Sequence, residues 1–134
     1  MNLFEHHLMM KPRQAMLKIT DLIRKDLEES KIKEGIAIIY CPHTTAGITI
    51  NENADPDVVS DIIYGMEKVF PTSDTAYRHF EGNSHAHMKS SVVGASAHLI
   101  ISKGALILGT WQDVYFCEFD GPRNRTFYVK LLEG

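Results

Sequence analysis

The last forty residues limit the fold most strongly, because they predict a run of consecutive β-strands. Residues 99–101 and 106–108 are apolar and flank a tight turn at Lys103 and Gly104. Residues 114–119 and 126–132 flank a second turn, at residues 120–124. In the final strand Phe127, Val129 and Leu131 alternate with more polar neighbours, which indicates one buried face.

The first fifty residues mix strands with a helix. Residues 1–10 predict an edge strand, and residues 13–30 predict an amphipathic helix. The helix prediction rests on apolar side chains at helical spacing: Met16, Ile19, Ile23 and Leu27. Residues 36–41 and 47–50 then predict two strands that are separated by Pro42.

Two further helices are indicated in the middle of the chain. Asp55 is a favourable cap before Pro56, and Pro71 ends the helix that follows. Residues 71–84 are polar and predict a loop. Residues 85–93 predict a short helix, with Ser84 as its cap and Gly94 as its end.

This order of elements predicts the α+β class rather than a regularly alternating parallel sheet. We expect one domain, residues 1–134, with antiparallel β-sheets in a sandwich-like or barrel-like arrangement, two main helices and one short helix.

Composition limits the cellular compartment and the partners that we expect for this protein. The net charge of -3 gives no electrostatic case for binding nucleic acid. Cys41 and Cys117 lie in apolar runs and are expected to be buried, reduced thiols rather than a disulfide framework. The start of the chain does not resemble a signal peptide, and no apolar run is long enough to suggest a membrane span. We therefore expect a cytoplasmic protein with no membrane partner.

Histidine is the residue type that most clearly indicates chemistry. Three of the seven histidines, His79, His85 and His87, fall within nine positions. Imidazole is the commonest metal ligand, and a catalytic zinc site uses three protein ligands and one open position. His85 and His87 would point to one side of an extended segment but would diverge on a helix. In the helical case a third ligand must come from elsewhere, and His43 is the best candidate; the alternative is a chance cluster on a surface loop.

Other residues are candidates for binding or acid–base chemistry, each with a simpler structural alternative. Glu52 and Glu81 are candidate general bases or partners of a ligating histidine. Several residues could contact an anionic or aromatic substrate, although turn formation, capping or surface exposure would also explain them: Thr44, Thr45, Asn51, Asn83, Lys89, Ser90, Trp111 and Arg123. Cys41 could be a nucleophile beside His43, but a buried structural thiol is the better interpretation.

Several long motifs, in order along almost the whole chain, resemble the YjbQ family of small proteins described as secondary thiamine-phosphate synthases. The motifs are His43-Thr44-Thr45-Ala46-Gly47, residues 51–56 (NENADP), residues 79–83 (HFEGN), residues 87–91 (HMKSS), residues 109–112 (GTWQ) and residues 118–123 (EFDGPR). The resemblance implies a compact α+β fold and a homotrimer. It also implies a metal-binding pocket whose ligands are His43, His79 and His87, with His85 as a neighbour or optional ligand.

Taken together, these patterns predict a metal-dependent enzyme that acts on a phosphorylated small molecule. Three histidines would hold a divalent ion, with zinc the expected one, and the resemblance implies a thiamine-phosphate synthase-type transfer. One alternative is a metal-dependent hydrolase of a small ester or phosphoester. The other is a binding module that holds a metal or small molecule without turnover.

Overall fold

The computed structural model describes residues 2–134, which fold into two antiparallel sheets and three helices. The elements, in chain order, are β1 (Leu3–Met10), β2 (Ala15–Lys18), α1 (Thr20–Ser30), β3 (Gly35–Tyr40), β4 (Ala46–Glu52), α2 (Pro56–Val69), α3 (Ser84–Val93), β5 (Ser96–Ser102), β6 (Ala105–Leu106), β7 (Gln112–Glu118) and β8 (Arg123–Glu133). One sheet has the strand order β1-β8-β3-β5-β6, and the other has the order β2-β7-β4. The predicted α+β class is confirmed. None of the helices in residues 2–134 has the length and apolar character needed to span a membrane.

The five-stranded sheet follows the predicted alternation. Phe127, Val129 and Leu131 of β8 are almost completely buried, while the residues between them are partly exposed. β1 pairs with β8 along its whole length and forms one edge of the sheet, as predicted for the start of the chain. The buried face of this sheet, the three-stranded sheet and α1 together enclose the main apolar core.

The prediction of one helix over residues 13–30 is wrong in its first part. Residues 15–18 form β2, which pairs with β7 in the register Ala15↔Glu118. The pairing continues to Ile19, whose N–H donates to the Val114 carbonyl at 2.8 Å, and the helix begins only at Thr20. Ile23 and Leu27 are buried as expected. Met16 packs against a separate apolar cluster below α2 and α3 and not against the core that Ile23 and Leu27 enter.

The second helix has the predicted ends but an unexpected environment. The Asp55 carboxylate accepts the Asp57 N–H at 2.9 Å, and α2 ends at Val69, two residues before Pro71. No residue of α2 is fully buried, although Val59 and Met66 pack against the cluster of Ala86, Tyr115, Cys117 and Phe119. The side of α2 that carries Val59 and Met66 is therefore only partly covered within one chain.

The third helix begins one residue earlier than predicted. α3 starts at Ser84, so the cap is Asn83 rather than Ser84, and no side chain caps the helix. Gly94, with a φ of 99°, ends the helix as predicted. Behind α3, a Cβ on Gly47 would lie 2.7 Å from the Gly94 carbonyl oxygen, so glycine at position 47 allows β4 to approach the end of the helix.

The strands on either side of residues 120–124 do not form a hairpin. β7 lies in the three-stranded sheet and β8 in the five-stranded sheet, so residues 119–122 carry the chain from one sheet to the other. The turn at Lys103 and Gly104 is a hairpin turn as predicted, with φ of 53° and 76°, but β6 is limited to Ala105–Leu106. Cys41 and Cys117 are both buried and free, as expected.

A buried ion pair connects the two sheets where the chain crosses between them. Arg125 of β8 donates from Nε to Glu118 Oε1 at 2.6 Å and from Nη2 to Glu118 Oε2 at 2.5 Å, and both side chains are almost fully buried. Arg125 Nη2 also donates to Thr45 Oγ1 at 2.8 Å, and Glu118 Oε2 accepts the Asp120 N–H at 2.9 Å. The two buried charges of opposite sign thus pair with each other. Their further hydrogen bonds fix the loop at Thr45, after β3, and the loop at Asp120, after β7.

Removing one member of this pair should be strongly destabilising, because the other charge would remain buried without a partner. We expect Glu118→Leu to lower the free energy of unfolding by about 3–5 kcal/mol, and Glu118→Leu with Arg125→Met to recover most of that loss. Arg123→Met, which removes an exposed arginine from the same strand, should cost no more than about 1 kcal/mol. Urea unfolding at one fixed protein concentration measures all three; equal losses for Glu118→Leu and Arg123→Met would contradict the assignment.

Candidate functional site

One cleft collects most of the predicted site residues. It has a volume of about 410 Å³ and is bordered by three separate chain segments. The segment after β3 contributes His43, Thr44 and Thr45; the region from the loop before α3 into its first turn contributes His79, Glu81, Asn83 and His87; β8 contributes Arg123 and Arg125. We call this space the histidine cleft.

His79 and His87 are neighbours on one wall of the histidine cleft. Their ring centres are 5.5 Å apart and the rings are nearly perpendicular. His79 Nε2 lies 3.8 Å from Glu81 Oε1, and the side chains of both residues are partly exposed. Two imidazoles that share one zinc ion place their ring centres about 5 Å apart, given Zn–N distances of about 2.0–2.1 Å. The separation of this pair is therefore compatible with a shared ion.

His43 is held by the backbone of the opposite strand. The Thr126 N–H donates to His43 Nε2 at 2.9 Å, so Nε2 must be unprotonated and the ring proton must be on Nδ1. Burial lowers the pKa of His43, and the nearby Arg125 guanidinium lowers it further, so the ring is neutral at neutral pH. The nitrogen that faces the backbone is not free to bind an ion.

The predicted metal site is therefore only partly assembled. Within residues 2–134 no group of three or more histidine, cysteine or acidic side chains is arranged to hold a metal ion. His79 and His87 have a suitable separation, whereas His43 has its proton on Nδ1 and a donor on Nε2, so it would have to give up its bond to Thr126 to bind an ion through either nitrogen. The donor types fit zinc, but the three-histidine geometry does not.

His85 lies behind the cleft in a second network, centred on Lys89. Lys89 is completely buried, and its Nζ donates to Glu67 Oε1 at 2.7 Å, to His85 Nδ1 at 2.8 Å and to Gln14 Oε1 at 3.3 Å. Since Nδ1 accepts, the ring proton of His85 is on Nε2. Burial and the positive charge of Lys89 both lower the pKa of His85, so this histidine is also neutral.

Glu67 anchors the outer end of the Lys89 network. Burial alone would raise its pKa, but hydrogen bonds from Lys89, from the N–H and hydroxyl of Thr72 and from Gln14 outweigh that effect and lower the pKa to about 2. Because Glu67 is on α2 and Lys89 on α3, this ion pair fixes the two helices relative to each other.

Comparison with known proteins identifies the family. The family described as "UPF0047 protein YjbQ-like" matches residues 5–134. The chain belongs to the YjbQ family. It is 58% identical over 120 residues to UPF0047 protein YugU of Bacillus subtilis, covering 90% of this chain and 91% of that protein. It is 52% identical over 130 residues to UPF0047 protein MJ1081 of Methanocaldococcus jannaschii, covering 97% and 94% respectively.

Crystal structures of YjbQ-family and related proteins share the fold. An uncharacterized conserved protein of the family from Clostridium acetobutylicum has a TM-score of 0.94 and 52% identity, with 96% of this chain and 99% of that chain covered. The hypothetical protein APE1520 from Aeropyrum pernix K1 also has a TM-score of 0.94, at 30% identity, and both chains are covered completely. The fold is therefore retained in distant relatives.

Two predicted substrate-binding residues of this YjbQ-family chain do not reach the histidine cleft. Lys89 is buried in its own network, as described above. Ser90 is also buried, and its hydroxyl donates to the Ala46 carbonyl at 2.6 Å. Both residues lie on the inner face of α3, where they attach the helix to the rest of the fold, so the expectation that they contact phosphate directly needs correction.

Glu52, Asn51 and Trp111 form a separate group at the other end of the three-stranded sheet. β4 begins at Ala46, beside the cleft, and Glu52 is six residues further along the strand, about 20 Å away. Trp111 is exposed and precedes β7, whose Gln112 pairs with Glu52. Glu52 is therefore not a base for the histidine cleft of this chain, and Glu81 is the acidic candidate that lies there.

Sequence reasoning missed the buried charges that organise the cleft. Glu118 begins the motif at residues 118–123 and Arg125 follows the turn at residues 120–124, and neither position alone indicates a buried ion pair. A charged residue inside an apolar strand, as in residues 114–119, was the available signal, because such a residue needs a buried partner. Nothing in the sequence pointed to Glu67 as the partner of Lys89, since the two are 22 residues apart on different helices.

The two fixed histidines of this YjbQ-family chain should have opposite tautomers. At about pH 8, where histidine side chains are neutral, we expect His43 to carry its ring proton on Nδ1 and His85 to carry it on Nε2, for the reasons given above. Long-range ¹H–¹⁵N correlation spectra distinguish the two forms, and the exposed His98 serves as a reference for an unconstrained ring. An Nε2-protonated His43 would show that the Thr126 bond does not form.

Proposed function

We propose that the histidine cleft is the active site of an enzyme that acts on a phosphorylated small molecule. The observation that carries the proposal is the meeting of His43, His79 and His87 from distant chain segments in one cleft beside Arg123. A volume of about 410 Å³ is within the range for a site that takes a small metabolite.

The donors that remain free in the cleft suit an anionic group. The Thr44 hydroxyl is exposed, and Thr45 Oγ1, which accepts from Arg125, still has its own hydrogen to donate. Arg123 binds Asp120 through Nε and Nη2, which leaves Nη1 available. Hydroxyl and guanidinium donors of this kind bind phosphate oxygens.

A second cavity next to the histidine cleft favours a transferase over a hydrolase. It has a volume of about 550 Å³ and a mainly apolar lining that includes Ala76, Tyr77 and Met88. His79 and His87 border both cavities. One polar and one apolar space on either side of two histidines would accommodate two substrates, or one substrate with an anionic and a ring-shaped part. A thiamine-phosphate synthase-type transfer, which joins two ring-containing phosphates, is compatible with this arrangement.

His79 and His87 are the histidines available for chemistry. Their rings are partly exposed to the cleft, and Glu81 is positioned to orient His79 or to accept a proton. A divalent ion such as zinc, bound by His79 and His87, would stabilise charge that develops on a phosphate or pyrophosphate leaving group. His43, whose Nε2 accepts the Thr126 N–H, would contribute only a hydrogen-bond donor from Nδ1.

Binding and turnover measurements test this proposal. We expect untagged protein to bind phosphorylated metabolites and to turn over at least one of a panel that includes thiazole phosphate with hydroxymethylpyrimidine pyrophosphate. His79→Ala and His87→Ala should each reduce turnover at least about a hundredfold, by removing acid–base or electrophilic groups. Lys25→Ala, at an exposed position of α1, is the control and should have no effect.

Metal analysis distinguishes a metal-dependent enzyme from a binding module that holds an ion without turnover. Stoichiometric zinc that is lost in both His79→Ala and His87→Ala would support a metal-dependent enzyme, and zinc without turnover would favour a binding module. If neither variant changes metal content, ligand affinity or rate, the histidine cleft is not the active site.

We also propose that the chain forms a homotrimer in the cytoplasm. Two different apolar surfaces support the assembly. Ile36, Ile100 and Leu132 are exposed and adjacent across three strands of the five-stranded sheet. On the helical side Tyr64 and Val69 of α2 are more than 60% exposed. Two unlike surfaces that cover each other form a head-to-tail contact, which gives a ring when the rotation between neighbouring chains closes, and not a twofold dimer. The two free, buried thiols suit a reducing compartment.

Light scattering coupled to size exclusion tests the assembly. We expect a particle of three times the mass of one chain, and dissociation when either surface receives a charge, as in Ile36→Lys or Tyr64→Lys, because a charge would be buried in the contact. Met9→Lys, at an exposed apolar residue of β1 outside both surfaces, is the matched control. A monomeric wild-type protein would refute the trimer.

A further inference from the structure

Asn83 has an unusual environment in the histidine cleft. The residue is more than nine-tenths buried and borders the cleft. Its Oδ1 is the one buried side-chain oxygen or nitrogen in residues 2–134 that has no hydrogen-bond partner. An unsatisfied buried acceptor is costly, and such groups are rare in native proteins. No donor within residues 2–134 bonds to this oxygen, so a donor from outside the chain would satisfy it.

The orientation of the Asn83 amide is fixed, so the unsatisfied atom is the oxygen. Asn83 Nδ2 donates to Asp120 Oδ2 at 2.8 Å. Although burial raises the pKa of Asp120, hydrogen bonds from Asn83 and Arg123 outweigh that effect and keep this pKa below its ordinary value. The carboxylate can therefore only accept, and rotating the amide by 180° would place two acceptors against each other.

The first turn of α3 provides a complementary set of donors beside Asn83. The helix has ten residues and no side-chain cap. The Asn83 carbonyl accepts the N–H groups of Ala86 and His87, whereas those of Ser84 and His85 have no acceptor within residues 2–134. Ser84 borders the apolar cavity, and Asn83 borders the histidine cleft. Free N–H groups at the start of a helix bind anions.

We propose that Asn83 selects substrates: its Oδ1 accepts a hydrogen bond from an O–H or N–H group of the ligand, while the start of α3 and Arg123 hold the ligand's phosphate. The ligand class is a phosphate monoester with a hydroxyl or amino group a few bonds from the phosphate. This inference rests on the anion-binding role proposed for the histidine cleft and specifies which anions bind there. A purely anionic ligand such as inorganic phosphate would leave Asn83 Oδ1 unsatisfied.

A matched pair of ligands tests the selection. 2-Hydroxyethyl phosphate and propyl phosphate have nearly the same size and charge, but only the first has a terminal donor. Ligand-observed NMR titration of the intact protein should show 2-hydroxyethyl phosphate binding roughly fivefold more tightly, the effect of about one net hydrogen bond. Asn83→Ala should remove this preference and leave the affinity for propyl phosphate within about twofold of wild type.

The controls distinguish the possible failures. Asn53→Ala, far from the cleft on the connection after β4, should keep the full preference. If wild-type protein binds both ligands equally, or if Asn83→Ala retains the preference, Asn83 holds only a buried water and the selection is refuted. If neither ligand binds, the anion-binding function of the cleft itself fails. The comparison of ligands on wild-type protein does not depend on whether Asn83→Ala folds.

Discussion

The ion pair between Glu118 and Arg125 is the interaction on which the rest of the architecture depends. The chain leaves the three-stranded sheet at Glu118 and enters the five-stranded sheet at Arg123, and the pair joins the sheets at this crossing. Neither charge could be buried alone, because the desolvation of an isolated ion costs several kcal/mol. The same arginine holds Thr45, so the loop that carries His43 is fixed by the contact that closes the sheets. The same ion pair therefore stabilises the contact between the two sheets and the position of the loop that borders the cleft.

A second buried cation performs the corresponding task on the helical side. Lys89 joins α3 to Glu67 of α2 and to Gln14 before β2, and it also fixes His85. α2 has no fully buried residue, so apolar packing alone would hold it weakly within one chain. The network compensates for that weak packing and sets the position of the first turn of α3, where Asn83 and His87 border the cleft. Two buried cations thus set opposite walls of one site.

The fold class and most of the cleft residues can be predicted from the sequence, because patterns of adjacent residues determine them. Alternation in β8, the cap at Asp55 and the turn at Gly104 are each decided by a few adjacent residues. Residues 15–18 were misassigned because pairing with β7, which lies a hundred residues away, overrides a helical spacing. Lys89 is a predicted substrate-binding residue because its main partner, Glu67, lies 22 residues away on another helix, and only the packed structure brings the two together. Its contact with His85 is local, since residues four apart share one face of a helix.

The four histidines at or near the cleft divide into two pairs with different capabilities. His43 and His85 are neutral and each has one nitrogen engaged by a donor, a backbone N–H in one case and Lys89 in the other. A ring held in this way can donate one hydrogen bond, but it cannot take up a proton or a metal ion at the engaged nitrogen without losing a buried contact. His79 and His87 have no such restraint, and both border the polar and the apolar cavity. Any proton transfer or metal binding by histidine in this cleft therefore falls to His79 and His87, and Glu81, whose Oε1 is 3.8 Å from His79 Nε2, is the acidic group beside them.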